Sequence, residues 1–147
     1  MQGRVAAIQV CPGHREPMRG VSVAELDAGM GLRGDTHAKP ASKRQVLLAD
    51  KEALDALGLL AGTIKENITV EGVDVMRLSP GTRLRLGAAA MLEVTTVCEP
   101  CFRMDEIRAG LRAELEGRRG MNTVVIEGGR VAVGDRVTVL EPGPLSP

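Results

Sequence analysis

Short apolar and β-branched segments run the length of this chain, each cut by glycine or proline within about eight to fifteen residues. That rhythm leaves little room for long helices and favours many short strands. Eighteen glycines and eight prolines supply the punctuation. The candidate strands are Arg4–Val10, Gly20–Leu26, Arg44–Leu48, Asn67–Val70, Thr82–Leu86, Met91–Val97, Thr123–Ile126 and Arg136–Leu140. In Thr82–Leu86 the two leucines alternate with two arginines, which sends Leu84 and Leu86 to one face. Gly128-Gly129 reads as a hairpin turn between Val124–Ile126 and Val131–Val133. Two segments break the pattern. Lys51–Leu57 reads as a short helix with Asp50 as its N-cap and Gly58 as its stop. Met104–Glu116 reads as a longer one, with Met104, Ile107, Leu111 and Leu115 on one stripe and Asp105 and Glu106 in its first turn. Many strands and few helices predict a mainly β fold: a small closed or nearly closed barrel with two or three short helices on its periphery.

At 147 residues, 44% of them hydrophobic, the chain suits one domain with an ordinary core. The expected domain is 1–141, with a flexible tail over 142–147. One Phe, no Trp and no Tyr mean that the core is aliphatic and that a ligand finds little aromatic surface. Lys plus Arg and Asp plus Glu each total 19, a balance unlike that of duplex-binding domains, which need excess positive charge against phosphate. Single-strand binders add stacking platforms, and only Phe102 is on offer. No nucleic acid partner is expected. No apolar run approaches the roughly 20 residues of a membrane span, and Met1–Val10 alternates like a strand where a signal peptide would be continuously apolar. A cytoplasmic protein is expected, in which an odd set of three cysteines stays reduced.

Five constellations carry possible chemistry. Cys98-Glu99-Pro100-Cys101 joins the strongest strand to the strongest helix, with Arg103 two residues beyond. Helix N-termini and cations favour the thiolate, the reactive form of cysteine. The alternative is a pair of small buried hydrophobes. Cys11-Pro12-Gly13-His14, taken with Cys98 and Cys101, has the spacing of a structural zinc site, and is otherwise a surface loop. In Gly31–Ala38 the glycines permit a tight backbone, Arg33 has the fork that grips phosphate, and His37 can ligate or shuttle a proton. A plain turn capped by Asp35 is the competing reading. Lys43-Arg44-Gln45 and Lys65-Glu66-Asn67 place basic and amide groups where strands begin, either as ligand grips or as solvated strand ends.

In order along the chain, these segments resemble the MOSC family, named for the C-terminal domain of molybdenum-cofactor sulfurases. Gly31–Ala38 is similar to the family's Gly-Leu/Ile-x-Gly-Asp-x-His-Ala stretch, Arg44-Gln45-Val46 to its Arg-Gln-Val strand, and Glu66–Gly72 to its Glu-Asn-Ile/Leu-Thr-x-x-Gly stretch. Leu78–Gly87, Pro100-Cys101 and Gly129–Asp135 match the remaining motifs, so the resemblance runs from about Val5 to Leu140. It implies a β-barrel with a functional cysteine at Cys101, acting either as a persulfide carrier or as a molybdenum ligand. It implies Arg33, Asp35, His37, Arg44, Asn67 and Arg103 as candidates for holding the pterin of a molybdenum cofactor and its phosphate. The expected roles are sulfur transfer in cofactor maturation, or reduction of N-hydroxylated compounds. A zinc-stabilised binding module, from another class of function, rests on the Cys11–His14–Cys98–Cys101 set. Sulfur or electrons would come from a separate partner: a pyridoxal-phosphate cysteine desulfurase or a reductase. Two departures stand out: Thr36 occupies a position where many relatives carry Arg, and Cys98 is an additional thiol.

Overall fold

The first strand, β1 (Gln2–Val10), is the seam on which the main sheet closes. In this computed structural model residues 2–140 are described. Chain order continues with β2 (Arg19–Val21), β3 (Val23–Asp27), β4 (Gly31–Leu32), β5 (Val46–Asp50), helix α1 (Lys51–Ala56), β6 (Ile68–Glu71), β7 (Arg83–Leu86) and β8 (Ala90–Val97). Then come α2 (Arg103–Ile107), α3 (Leu111–Glu114), β9 (Met121–Glu127), β10 (Gly129–Ala132) and β11 (Arg136–Leu140). Around the barrel the order is β11-β7-β8-β9-β5-β6-β1, and β1 pairs back onto β11 through Gln2↔Thr138 and Arg4↔Arg136. These seven strands form a closed barrel with three short helices outside it. Closure leaves no long edge to aggregate. Bulges between Val5 and Ala7 in β1 and between Val94 and Thr96 in β8 supply local bending of the kind that closure requires. A smaller sheet, β10-β3-β4, lies beside the barrel.

Every barrel pair is antiparallel except β5–β6. Parallel neighbours need a crossover of a dozen or more residues, and 51–67 provides it, including α1. Asp50 caps α1 as expected, accepting from the Ala53 amide at 2.8 Å. The crossover ends on Lys65-Glu66-Asn67, which is how these three residues reach the site described below. Ile8, Leu26, Leu48, Ile68, Leu84 and Leu92 belong to the aliphatic barrel core, each at most 2% exposed. A second cluster, including Leu54, Ile64, Met104, Leu111 and Leu115, seals the helices against the outer wall.

Three expectations are corrected. Gly20–Leu26 is not one strand: the chain bends at Ser22, so that β2 pairs with β1 while β3 joins the small sheet. Gly128-Gly129 does not close a hairpin, because β10 pairs with β3 and not with β9. These glycines serve close approach, since a Cβ at Gly128 would lie 2.9 Å from Leu26 O and one at Gly129 would lie 2.9 Å from Ala90 N. Met104–Glu116 is two short helices in place of one. Arg108 is extended, Gly110 takes φ 82°, and Asp105 Oδ1 accepts from the Arg112 amide at 3.0 Å to start α3. Met104, Leu111 and Leu115 still face inward, while Ile107 is left exposed. The tail expected over 142–147 lies outside the described residues, and β11 ends at Leu140. No helix among the described residues is long and apolar enough to cross a membrane.

Candidate functional site

Strand alternation puts Val46 and Leu48 inside the barrel and Leu47 outside; on the paired strand β9, Met121 and Val125 face in and Asn122 out. Leu47 and Asn122 are register partners, and both line a cavity of about 650 Å³ on the outer face of the wall. Its other walls are the loop after β1 (Cys11, His14–Glu16), Thr36 and His37, Arg44, Lys65 and Asn67, and the segment from Cys98 through α2, with Arg119 entering β9. The barrel interior is filled by aliphatic side chains, so a ligand site has to lie outside it.

A buried polar network anchors this cavity. The Asp35 side chain is wholly buried and accepts four hydrogen bonds: Oδ1 from the Cys11 amide (2.6 Å) and Asn67 Nδ2 (3.0 Å), Oδ2 from the His37 amide (2.9 Å) and His37 Nδ1 (3.1 Å). Burial pushes the Asp35 carboxyl up, but the bonds from His37 and the two amides outweigh it and hold the group below the ordinary carboxylate value. The same contact raises the His37 imidazole, against the lowering effect of its partial burial. Asn67 spends both amide protons, on Asp35 and on Gln9 O (3.2 Å), while its oxygen accepts from the Leu47 amide (3.0 Å). Gln45 likewise bridges Gly29 O, Lys39 O and the Val125 amide, which fixes the turn that carries Arg44. Thr95, the extra residue of the β8 bulge, bonds Lys43 O and Asn122 O and ties that turn to the wall.

On this scaffold stand the cations and the thiols. Arg15, Arg44, Lys65, Arg103 and Arg119 line the cavity, and none forms a salt bridge among the described residues. Arg15 and Lys65 adopt φ of 63° and 68°, left-handed conformations that cost non-glycine residues about 1–3 kcal/mol and gather where function demands them. Arg119 is only 7% exposed. Its Nη2 donates to Ile64 O at 2.8 Å, its Nη1 lies 3.5 Å from Cys98 Sγ, and its buried Nε has no protein partner. Nearby Glu66 is fully buried; its Oε2 accepts from Thr69 Oγ1 (2.8 Å) and its Oε1 has no partner. Burial raises the Glu66 carboxyl despite these bonds and the Arg119 charge. Burial also pushes the Cys98 thiol up, with Arg119 and Arg44 pulling it back. Cys101 packs partly buried on the edge of the helical cluster and faces the same cavity.

The MOSC domain model matches residues 34–138. This chain belongs to the MOSC family. The YuaD protein from Bacillus subtilis superposes with a TM-score of 0.84 at 21% identity, covering 93% of this chain and 94% of that one. YiiM from Escherichia coli gives 0.73 at 19% identity, covering 96% and 70%, and YiiM from Geobacillus stearothermophilus gives 0.75 at 16%, covering 96% and 76%. At these identities the likeness speaks for the fold. No curated protein matches the sequence.

The MOSC motif residues fall into three groups in space. Cys101, Arg103, Arg44, His37 and Asn67 line the cavity. Asp35 lies beneath it, and Asn67 has no N–H left for a ligand, so these two brace the site and do not grip through those groups. Arg33 is not brought to the cavity. It forks onto Asp27 across the β3–β4 pairing, at 2.7 and 3.1 Å, on the exposed surface. Cys11, His14, Cys98 and Cys101 all border the cavity, yet no three His, Cys, Asp or Glu side chains among the described residues come close enough to hold a metal ion. The proposed zinc set is therefore not assembled. Cys11 Sγ instead donates to Gly13 O at 3.1 Å. Nor does a long helix dipole point at Cys101, since α2 is five residues long with Phe102 at its N-cap.

Arg119 is a cavity residue that no sequence motif singles out. The MOSC family is associated with molybdenum cofactor, and the donor set here suits that group. It combines soft thiols, an unsatisfied buried guanidinium N–H, and further cations for a phosphate.

Proposed function

We propose that this MOSC domain binds a molybdenum cofactor in the Cys101 cavity. The observation that supports it most is the pairing of a thiol-bearing wall with cations that have no carboxylate partner. Unpaired cations around a concave site favour an anionic ligand, and buried Arg119 is worth more to such a ligand than a solvated lysine would be. Arg44, Lys65 and Arg103 would hold the phosphate. Arg119, which lines the cavity, would add its buried positive charge to the ligand's surroundings. Cys101 would present its sulfur to the metal. When bound, the cofactor supplies a redox-active centre with affinity for sulfur. His37, raised above the usual imidazole range by Asp35, is suited to holding a proton at the rim.

A second reading has its own support. Metal ligation uses one thiol, but this wall carries two, and Cys98 has an arginine beside it. That arrangement suits a sulfur carrier, in which Cys101 takes a sulfane sulfur from a cysteine desulfurase and passes it on. Phe102, the chain's single aromatic residue, is 60% exposed next to Cys101, where a donor protein would approach. In a cytoplasmic setting, where thiols stay reduced, donor and carrier would meet freely.

The cofactor reading is tested by pterin retention. Protein from a host that makes the cofactor is denatured and oxidised, and the fluorescent pterin is counted per chain. Arg44→Glu combined with Arg103→Glu should reduce retention by roughly 100-fold or more, as two charge-assisted contacts at about 1.5–3 kcal/mol each require. Retention equal to that of the wild type would rule out a cationic grip.

A further inference from the structure

Cys98 and Cys101 border one cavity but are held differently. Cys98 directly follows β8; its amide donates to Gly120 O at 2.9 Å, and its sulfur lies 3.5 Å from Arg119 Nη1. Arg119 cannot swing away easily, because its other terminal nitrogen is bonded to Ile64 O and the residue is buried. Pro100, itself buried, stiffens the two-residue link to Cys101. Cys101 rests on the helical cluster beside exposed Phe102, and both thiols are partly buried. Exposed Phe102 beside Cys101 marks where a donor would approach it. Cys98 is held against a fixed cation that offsets part of the cost of a buried thiolate.

We infer that Cys98 is the resolving thiol of a two-cysteine sulfur carrier, discharging a persulfide on Cys101 as hydrosulfide. The inference rests on the sulfur-carrier reading above. Cys98 loses its proton, with Arg119 offsetting part of the burial that holds it on, and attacks Cys101 Sγ. The bond between that sulfur and the outer sulfur breaks, and its electron pair leaves on the outer sulfur as HS⁻. A Cys98–Cys101 disulfide forms, and the proton released by Cys98 goes to the hydrosulfide or to water. Each cysteine sulfur is oxidised by one electron and the sulfane sulfur is reduced by two, so discharge requires no external oxidant. A dithiol reductant then returns the pair to the thiol state.

The test uses reduced protein exposed to inorganic polysulfide without air or added thiol, then desalted and followed over time. Released sulfide is measured, and the 98–101 peptide is mass-analysed after alkylation. The wild type should first gain sulfur on Cys101, then release sulfide while an internal disulfide appears in equal amount. Cys98→Ser, with Cys98→Ala as a second variant in case the first is poorly folded, should keep the persulfide and release sulfide at least roughly tenfold more slowly. A wild-type persulfide that lasts as long as in Cys98→Ser, or sulfide release without a disulfide, overturns the role of Cys98 and leaves Cys101 as a carrier. Failure of Cys101 to take up sulfur in any of these proteins overturns both readings.

Discussion

Replacing Asp35 by Asn keeps the shape of the side chain and exchanges one of its two acceptor oxygens for an NH₂ group. In the native protein Oδ1 serves two buried donors, the Cys11 amide and Asn67 Nδ2, while Oδ2 serves the His37 amide and ring. The new NH₂ therefore settles on the His37 side, where the half-exposed imidazole can turn acceptor by changing its tautomer. What is lost is the bond from the His37 amide, together with the charge that strengthened the remaining bonds. Bonds to charged groups contribute about 1.5–3 kcal/mol each and neutral ones about 1. Asp35→Asn should then destabilise the fold by about 2–3 kcal/mol. For a domain of this size that corresponds to a drop of roughly 4–12 °C in Tm. Urea unfolding followed by far-UV circular dichroism measures it, with Asp35→Leu as the harsher comparison, since it leaves every donor unsatisfied. An Asp35→Asn protein within 0.5 kcal/mol of the wild type, on the order of an ordinary surface substitution, would refute the view that this carboxylate braces the cavity.

The Asp35–His37 pair also predicts a pH dependence. The lowered Asp35 pKa contributes stability that is present above the ordinary carboxylate value of 3.8 and lost as pH falls through the shifted one. The raised His37 pKa contributes stability that is complete below 6.5 and lost as pH rises through the shifted value. The stability difference between wild type and His37→Ala should thus peak between these limits, at less than about 1 kcal/mol because the ring is half-exposed; a difference that grows toward pH 9 would contradict the assignment. Gly120→Ala should cost at least about 2 kcal/mol, because Gly120 sits at φ 127° and a Cβ there would collide with Leu48 O. Its melt should fall and Cys98 should react faster with a thiol reagent, since Gly120 O holds the Cys98 amide; an unchanged melt would show that the Leu48 contact yields.

The barrel was legible because strand alternation and glycine spacing are local properties. Leu84 and Leu86 face inward as their spacing requires, and Asp50 caps α1 as its position requires. Periodicity names a face, however, and not a partner. Leu111 and Leu115 continue the stripe begun at Met104 even though Arg108–Gly110 interrupts the helix, because two short helices can present the same face. The alternation around Gly128-Gly129 could not show that β10 would leave β9 for β3. At the site, the motif order led to Cys101, Arg44, Arg103 and His37, all on the cavity. It misjudged Arg33, whose closest acid appears only once β3 and β4 pair. Arg119 carries no local mark of its role; the fold brings it against Cys98 across 21 positions of chain. Asp35 and Asn67, which a motif reading offers as ligand grips, bond to each other and to the loops around the cavity.

The central claim is that Cys101 faces a bound molybdenum cofactor. Its most direct test is the molybdenum content of protein purified from a host that makes the cofactor, measured by elemental analysis beside Cys101→Ser. Near-stoichiometric metal is expected in the wild type, with loss of most of it in the variant at equal fold stability. Equal molybdenum in both proteins, or none in the wild type, would contradict it.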